Sequence, residues 1–203
     1  MNACCQSVAF KDRRRLLRRT IRELTSNDID PIIHYFLQAD HNFLKKMGVE
    51  PQKLPSYDDW RRRLLEDLER PVPQKQVYYL IWELEGRPVG HSNINKIVFG
   101  NEAYIHLHLW KPGERQRGNG MHFITESICR YFEAFELQNL FCEPYAMNPA
   151  PNKTLAKVGF EFVKQYNTTP GWINFHQTVN RWALSKEKFI SSKLMVPAAY
   201  PET

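Results

Sequence analysis

No stretch of this 203-residue chain approaches the roughly 20 apolar residues needed to span a bilayer, and its N-terminus lacks the apolar centre of a signal peptide. A soluble, unexported, cytoplasmic protein with no membrane partner is expected. Cysteine is sparse and unpatterned: Cys4, Cys5, Cys129 and Cys142 show neither the spacing of a disulfide framework nor a C-x-x-C zinc motif. Cys129 and Cys142 lie in apolar patterns and read as core, so a reduced compartment is the simplest setting. Internal repeats and low-complexity segments are lacking too. What is there suits one globular domain: 42% hydrophobic and 13% aromatic residues, at a length that supports a sizeable core.

The net charge of +6 is local. Positions 11–20 hold Lys11, Arg13, Arg14, Arg15, Arg18 and Arg19 against Asp12, a net of +5 that leaves +1 for everything else. Such an arm could touch RNA, the ribosome or an acidic lipid face. No aromatic residue interleaves with the arginines for base stacking, which favours a solvated lead into the first strand and makes a nucleic-acid partner unexpected beyond this arm. The expected organisation is a flexible basic arm over 1–18, one domain over 19–186 and a poorly ordered tail over 187–203.

Within the domain, Thr20–Leu24 alternates as a strand. Thr25 or Ser26 then caps a helix striped by Ile29, Ile32, Ile33 and Phe36. Ser56 through Asp59 forms a capping-box variant for a second helix with Trp60, Leu64, Leu65 and Leu68 on one face. Three strands follow (Gln76–Leu84, Val89–Ile97 and Glu102–Trp110), joined by short turns as an antiparallel meander. Met121, Ile124, Ile128 and Phe132 mark a third helix, and Asn139–Cys142 a strand that completes a βαβ unit. A short helix over Pro151–Val158 closes at Gly159, and two strands, Phe160–Tyr166 and Phe175–Leu184, end the pattern.

Between the third meander strand and the helix lies Arg115-Gln116-Arg117-Gly118-Asn119-Gly120. A glycine-bracketed turn opening a helix offers free backbone N–H groups and a positive dipole end, the chemistry that holds phosphate. It is either such a site or a plain glycine turn. A Walker loop would need Lys and Ser/Thr after its last glycine, where Met121 and His122 stand. A dinucleotide fingerprint would need a third glycine, where Phe123 stands.

The R-x-x-G-x-G run resembles the pyrophosphate-binding signature of the GNAT superfamily of acetyl-coenzyme A-dependent N-acetyltransferases. Asn148 through Phe160, an Asn ahead of a short helix that ends in Lys-hydrophobic-Gly-Phe, resembles the family's late motif. The order of elements over about residues 19–186 is similar as well. The resemblance implies an α/β (α+β) fold: a twisted, mixed but mostly antiparallel sheet of about seven strands flanked by about four helices. It also implies an acyltransferase that moves acetyl from acetyl-coenzyme A to a primary amine, of a small molecule or a protein N-terminus, without a metal. The type resembled is that of the ribosomal-protein acetylating enzymes, acting as monomer or homodimer. Backbone of Leu109, Trp110 and Lys111 would face the pantetheine arm. Arg115 to Met121 would wrap the pyrophosphate, with Asn148 or Asn152 on the other side.

The family's usual acids are missing: Leu155 occupies the place of a Tyr, and Pro151 that of a Ser. The remaining catalytic candidates are His106, His108, Glu143 and Tyr145. His106 and His108 share one strand face, and either could serve as base. A His-x-His pair can also bind metal or simply line a polar face, but with no third ligand evident no metal is expected. Glu143 could be the base, an orienter of His106 or a structural acceptor; Tyr145 could be an acid or packing. His106 stands nine residues before Arg115, an offset similar to that in acyltransferases of hydroxylysine-type siderophore precursors, whose Glu-Pro-Asp becomes Glu143-Pro144-Tyr145 here. That chemistry, or a non-catalytic coenzyme A- or RNA-binding module, is the alternative. Tyr35, His41, Asn42, Trp172, Asn174 and His176 are expected to line the acceptor groove.

Overall fold

The structure, a computed structural model, describes residues 17–110 and 119–194. Seven strands form one sheet in the order β1-β2-β3-β4-β5-β7-β6. They are β1 (Arg19–Glu23), β2 (Val77–Leu84), β3 (Arg87–Val98), β4 (Glu102–Leu109), β5 (Asn139–Cys142), β6 (Glu161–Thr168) and β7 (Gln177–Ser185). Every neighbouring pair is antiparallel except β4 and β5, which run parallel because α4 (Asn119–Ala134) crosses between them. The remaining helices are α1 (Ile29–Leu37), α2 (His41–Lys46), α3 (Tyr57–Leu68), α5 (Pro149–Val158) and α6 (Lys186–Leu194).

Alternation along β2, β3 and β4 sends successive side chains to opposite faces, and each face has its own core. On one face Leu80, Trp82, Ile94 and Ile105 pack against Phe123, Ile128 and Phe132 of α4. Phe123, the residue that breaks the dinucleotide fingerprint, stacks on Trp82 with ring centroids 5.5 Å apart. On the other face Ile32, Ile33 and Phe36 of α1 and Trp60 and Leu64 of α3 cover Ile81. Cys129 and Cys142 are buried thiols, as their apolar settings predict.

Local signals explain most boundaries. Asp28 accepts hydrogen bonds from the backbone N–H and the hydroxyl of Thr25, forming a capping box on a 3-10 turn that leads into α1. Burial would raise its carboxyl pKa, but bonds from Arg22 and Thr25 prevail and hold it below the usual range. Ser56 caps α3, accepting from the Asp59 backbone N–H at 3.2 Å. Gly159 ends α5 with φ 102°, a left-handed conformation that suits glycine.

Two helices exceed the expected four. Helix α2 is six residues long, too short for an apolar period to show. Helix α6 corrects the expectation of a poorly ordered tail beginning at residue 187. Ser185 accepts from the Lys188 backbone N–H, and Phe189, 3% exposed, packs on Phe132 with centroids 5.6 Å apart. One buried aromatic anchor in a mostly polar segment has no period to reveal it. Residues 1–16 and 195–203, including most of the basic arm, lie outside the described residues. Phe189→Ala should cost about 3–5 kcal/mol of stability, the usual range for emptying a buried aromatic site. Urea denaturation checks this, and an unchanged midpoint would place α6 off the core.

Candidate active site

The β4–β5 ladder ends early. Glu102↔Asn139, Ala103↔Leu140 and Tyr104↔Phe141 pair, whereas β4 continues to Leu109 and β5 stops at Cys142. The chain after β5 stays with β7, through a Tyr145↔Val179 bridge and an Asn180 N–H to Pro144 carbonyl bond of 3.1 Å. Between the separating elements lies a cavity of about 130 Å³, with His106, Leu107 and His108 on one wall and Glu143, Pro144 and Tyr145 on another. Met47, Asn148, Asn174 and Gln177 complete its rim. All four catalytic candidates thus line one cavity, two on each wall.

Register builds the histidine wall. His91 pairs with His108 and Asn93 with His106, so polar residues of β3 and β4 share the face beneath α1. The His106 Nε2 lies 3.1 Å from Asn95 Oδ1. An amide oxygen only accepts, so Nε2 carries the proton and Nδ1 keeps its lone pair. His91 and His108 stack with centroids 4.7 Å apart, and the Trp110 indole N–H donates to His91 Nδ1 at 2.8 Å. Tyr35 and Phe36 set their ring edges against His108, at 5.6 and 5.2 Å between centroids. Burial drives the His106 pKa down to about 4, helped by the Lys96 charge. It drives His108 to about 3, helped by His106, and His91 well below its ordinary value. All three are neutral at pH 7.

Glu143 is committed elsewhere. The Tyr166 hydroxyl donates to its carboxylate, and Arg181 pairs with it at 3.7 Å. Tyr145 places its ring edge on Phe175 and lines the cavity opposite β4. The side chain of Asn148 caps α5. Asn152 spends its amide fully: it donates to the carbonyls of Tyr145 and Asn148 and accepts from Asn180 and the Trp182 indole.

Of the expected acceptor residues, Asn174 lines the cavity and donates to the Gly48 carbonyl. Tyr35 sits beside His108 with its hydroxyl on Met47 Sδ at 3.4 Å. His41, Asn42 and His176 are exposed and away from the cavity lining. Trp172, 53% exposed, meets Trp60 and Arg63 instead. His91, Asn95, Lys96, Met47 and Gln177 were missed. The polar alternation His91, Asn93, Asn95 on a strand with apolar Ile94 between could have flagged the β3 contributors.

For coenzyme A, the observations that bear on fit lie at the start of α4. Asn119 is 2% exposed and its Nδ2 has no hydrogen-bond partner among the described residues, a buried donor at the helix end where an anion is expected. The first turn of α4 carries no acidic residue, leaving its dipole free for an anion. Gly120 leaves open space where a Cβ would stand. Leu109 ends β4 opposite Gly90, and the Trp110 backbone N–H bonds Val89. Lys111, Arg115, Gln116, Arg117 and Gly118 lie outside the described residues. Among the described residues no group of three or more His, Cys, Asp or Glu could hold a metal ion.

The GNAT acetyltransferase domain model matches residues 18–161. The chain belongs to this family. Its fold resembles that of the Vibrio cholerae spermidine N-acetyltransferase solved with CoA and spermine, at TM-score 0.70 and 16% identity over 85% of this chain and 98% of that one. An aminoglycoside acetyltransferase AAC(6')-Ib solved with coenzyme A and kanamycin is similar at 0.67 and 15%, over 87% and 99% of the two chains. A ribosomal L7/L12 alpha-N-protein acetyltransferase solved with coenzyme A gives 0.66 and 14%, over 82% and 93%. A comparison with curated proteins finds no match. As a GNAT member the chain is an acetyl-coenzyme A-dependent N-acetyltransferase acting on an amine. No described helix is long and apolar enough to cross a membrane.

The buried imidazoles tie stability to pH. Their folded pKa values lie below the ordinary 6.5, so their contribution is intact above pH 6.5 and is lost as pH falls towards 4, where only the unfolded chain takes up protons. The unfolding free energy should fall by up to about 1.4 kcal/mol per pH unit for each such histidine. Urea midpoints at pH 7.5, 6.5 and 5.5 test this, and constant midpoints would mean that the three rings titrate normally.

Proposed function

We propose that His106 is the general base of the acetyl transfer and that Tyr145 supplies the balancing proton. The observation that carries this reading is the gap where the β4–β5 ladder stops, which sets the His106 wall against the Tyr145 wall around one cavity. Acetyl-coenzyme A supplies, when bound, an acetyl group activated as a thioester. Asn119, Gly120 and Met121 at the start of α4, the backbone from Leu109 onwards and Asn148 are the groups that would hold it, together with Arg115 and Arg117. Asn152, with its amide fully bonded, positions Asn148 and the end of β5 instead.

His106 Nδ1 takes the proton of the attacking amine, because Asn95 fixes the other ring nitrogen as a donor. A base with a low pKa is fully available at neutral pH; its weakness is offset by oriented polar groups of the site, which need no reorganisation during transfer. His108, enclosed by Tyr35, Phe36 and His91, supports the orientation of that wall. Tyr145 Oη holds the proton that leaves with the thiol product. Glu143, bound to Tyr166 and Arg181, fixes the opposite wall rather than exchanging protons. Two buried thiols fit a cytoplasmic setting, and the acceptor in this reading is a small amine or a protein N-terminus met by a monomer or homodimer.

Saturating acetyl-coenzyme A should raise the melting temperature, since a ligand of the folded state alone stabilises it by about 2.7 kcal/mol at a hundred times Kd. His106→Ala should preserve that rise and lower kcat by about 10²–10⁴-fold in an assay of released thiol over an amine and peptide panel. Turnover equal to wild type would remove His106 from the mechanism, and no thermal response to the cofactor would undo the reading altogether.

A further inference from the structure

Lys96 is out of place by the rule that governs its strand. On β3 the odd positions His91, Asn93 and Asn95 face the histidine wall, and Ser92 and Ile94 face α4. Simple alternation would send Lys96 towards α4 as well. Instead the β3–β4 register shifts between Asn95↔Tyr104 and Val98↔Glu102, and Lys96 takes a left-handed backbone with φ 49°. Two other described residues besides glycine have positive φ, Glu85 and Glu136, and both lie in connections between elements. Lys96 has it inside a strand, a strained backbone for a residue with a side chain.

The bulge re-aims the side chain. Lys96 Nζ comes to 4.5 Å from the centre of the Tyr104 ring and lines the cavity with His106. No described carboxylate forms an ion pair with it. The other charges near this ring are Arg181, 5.5 Å from its centre, Glu102, two residues back along β4, and Glu143, which is occupied by Arg181 and Tyr166. Lys96 and Glu143 are the charged residues that line the described cavity, and since Glu143 is bound to Arg181 and Tyr166, Lys96 is the charge left without a counter-ion. A polycationic acceptor meets repulsion here, and an anionic group meets an unneutralised ammonium.

We propose that the acceptor is an amine that also carries a carboxylate, which Lys96 holds while the amine meets His106. This rests on the acetyl-transfer reading above. Two residues of strand separate Tyr104 from His106, a rise of about 7 Å. An amine and a carboxylate joined by a chain of four methylenes span a similar length. The geometry selects by charge and by spacing, and the backbone strain at Lys96 is the cost of presenting that charge.

The test compares 5-aminopentanoate with 1,5-diaminopentane, equal in reach and opposite in the charge of the far end. The ratio of their kcat/KM values should favour the amino acid by about fivefold or more, the scale of a partly exposed ion pair. It should fall towards one in Lys96→Met and reverse in Lys96→Glu. Using a ratio cancels any change in His106 basicity. A wild-type ratio near or below one, or a preference that survives Lys96→Met, overturns the proposal. So does the lack of carboxylate-dependent binding by calorimetry to coenzyme A-loaded protein if neither amine turns over. Failure of acetyl-coenzyme A itself to stabilise the protein is a different result, which strikes the acetyl-transfer reading.

Discussion

The early end of one parallel ladder governs the molecule. After Tyr104↔Phe141 the chain of β5 follows β7, so β4 reaches its last residues without its partner. A sheet interior normally satisfies both edges of every strand, and an interrupted one leaves room for a ligand to approach a strand edge. The break is held open from both sides. Glu143, Tyr166 and Arg181 lock the β5 side to β6 and β7, while Asn152 ties Tyr145 and Asn148 to Trp182 and Asn180. On the β4 side, Gly90 allows β3 to approach so closely that a Cβ there would fall 2.4 Å from the His108 carbonyl.

The histidine wall shows what that opening requires of the core. A sheet face under α1 would be most stable if apolar, as it is at Ile81. Instead His91, Asn93, His106 and His108 are placed there, each needing a partner or a loss of charge. Aromatic edges from Tyr35 and Phe36, the Trp110 indole and the Asn95 amide supply the partners, and burial removes the charge. Local rules of strand stability are broken at this face and satisfied elsewhere, a pattern expected of a site that does chemistry.

What was legible in the sequence was local. Thr25, Ser56 and Gly159 act through bonds to residues within a turn, and the stripes of α1, α3 and α4 are periodic, so these elements follow from the residues themselves. The loop opening α4 could be assigned to a family because its motif is contiguous. His106 could be found for the same reason, with His108 two positions on. His91 could not, since its role depends on pairing with His108 across a hairpin. Trp172, His41, Asn42 and His176 fall outside the lining of this cavity, since a groove is made by distant elements whose packing no spacing encodes. Helix α6 escaped because a single buried ring, Phe189, anchors it.

The same distinction separates the two halves of the reaction. In the proposed reading, recognition of the donor would rest on the glycine turn and the first turn of α4, features fixed by a few adjacent residues. In the same reading, recognition of the acceptor would depend on where side chains fall after a register shift. One extra residue in β3 moves a lysine from one face of the sheet to the other, and the charge of the cavity changes with it. Acceptor specificity can therefore diverge through a bulge while every element stays in place, and two chains of this fold can share the donor site yet select amines of opposite charge.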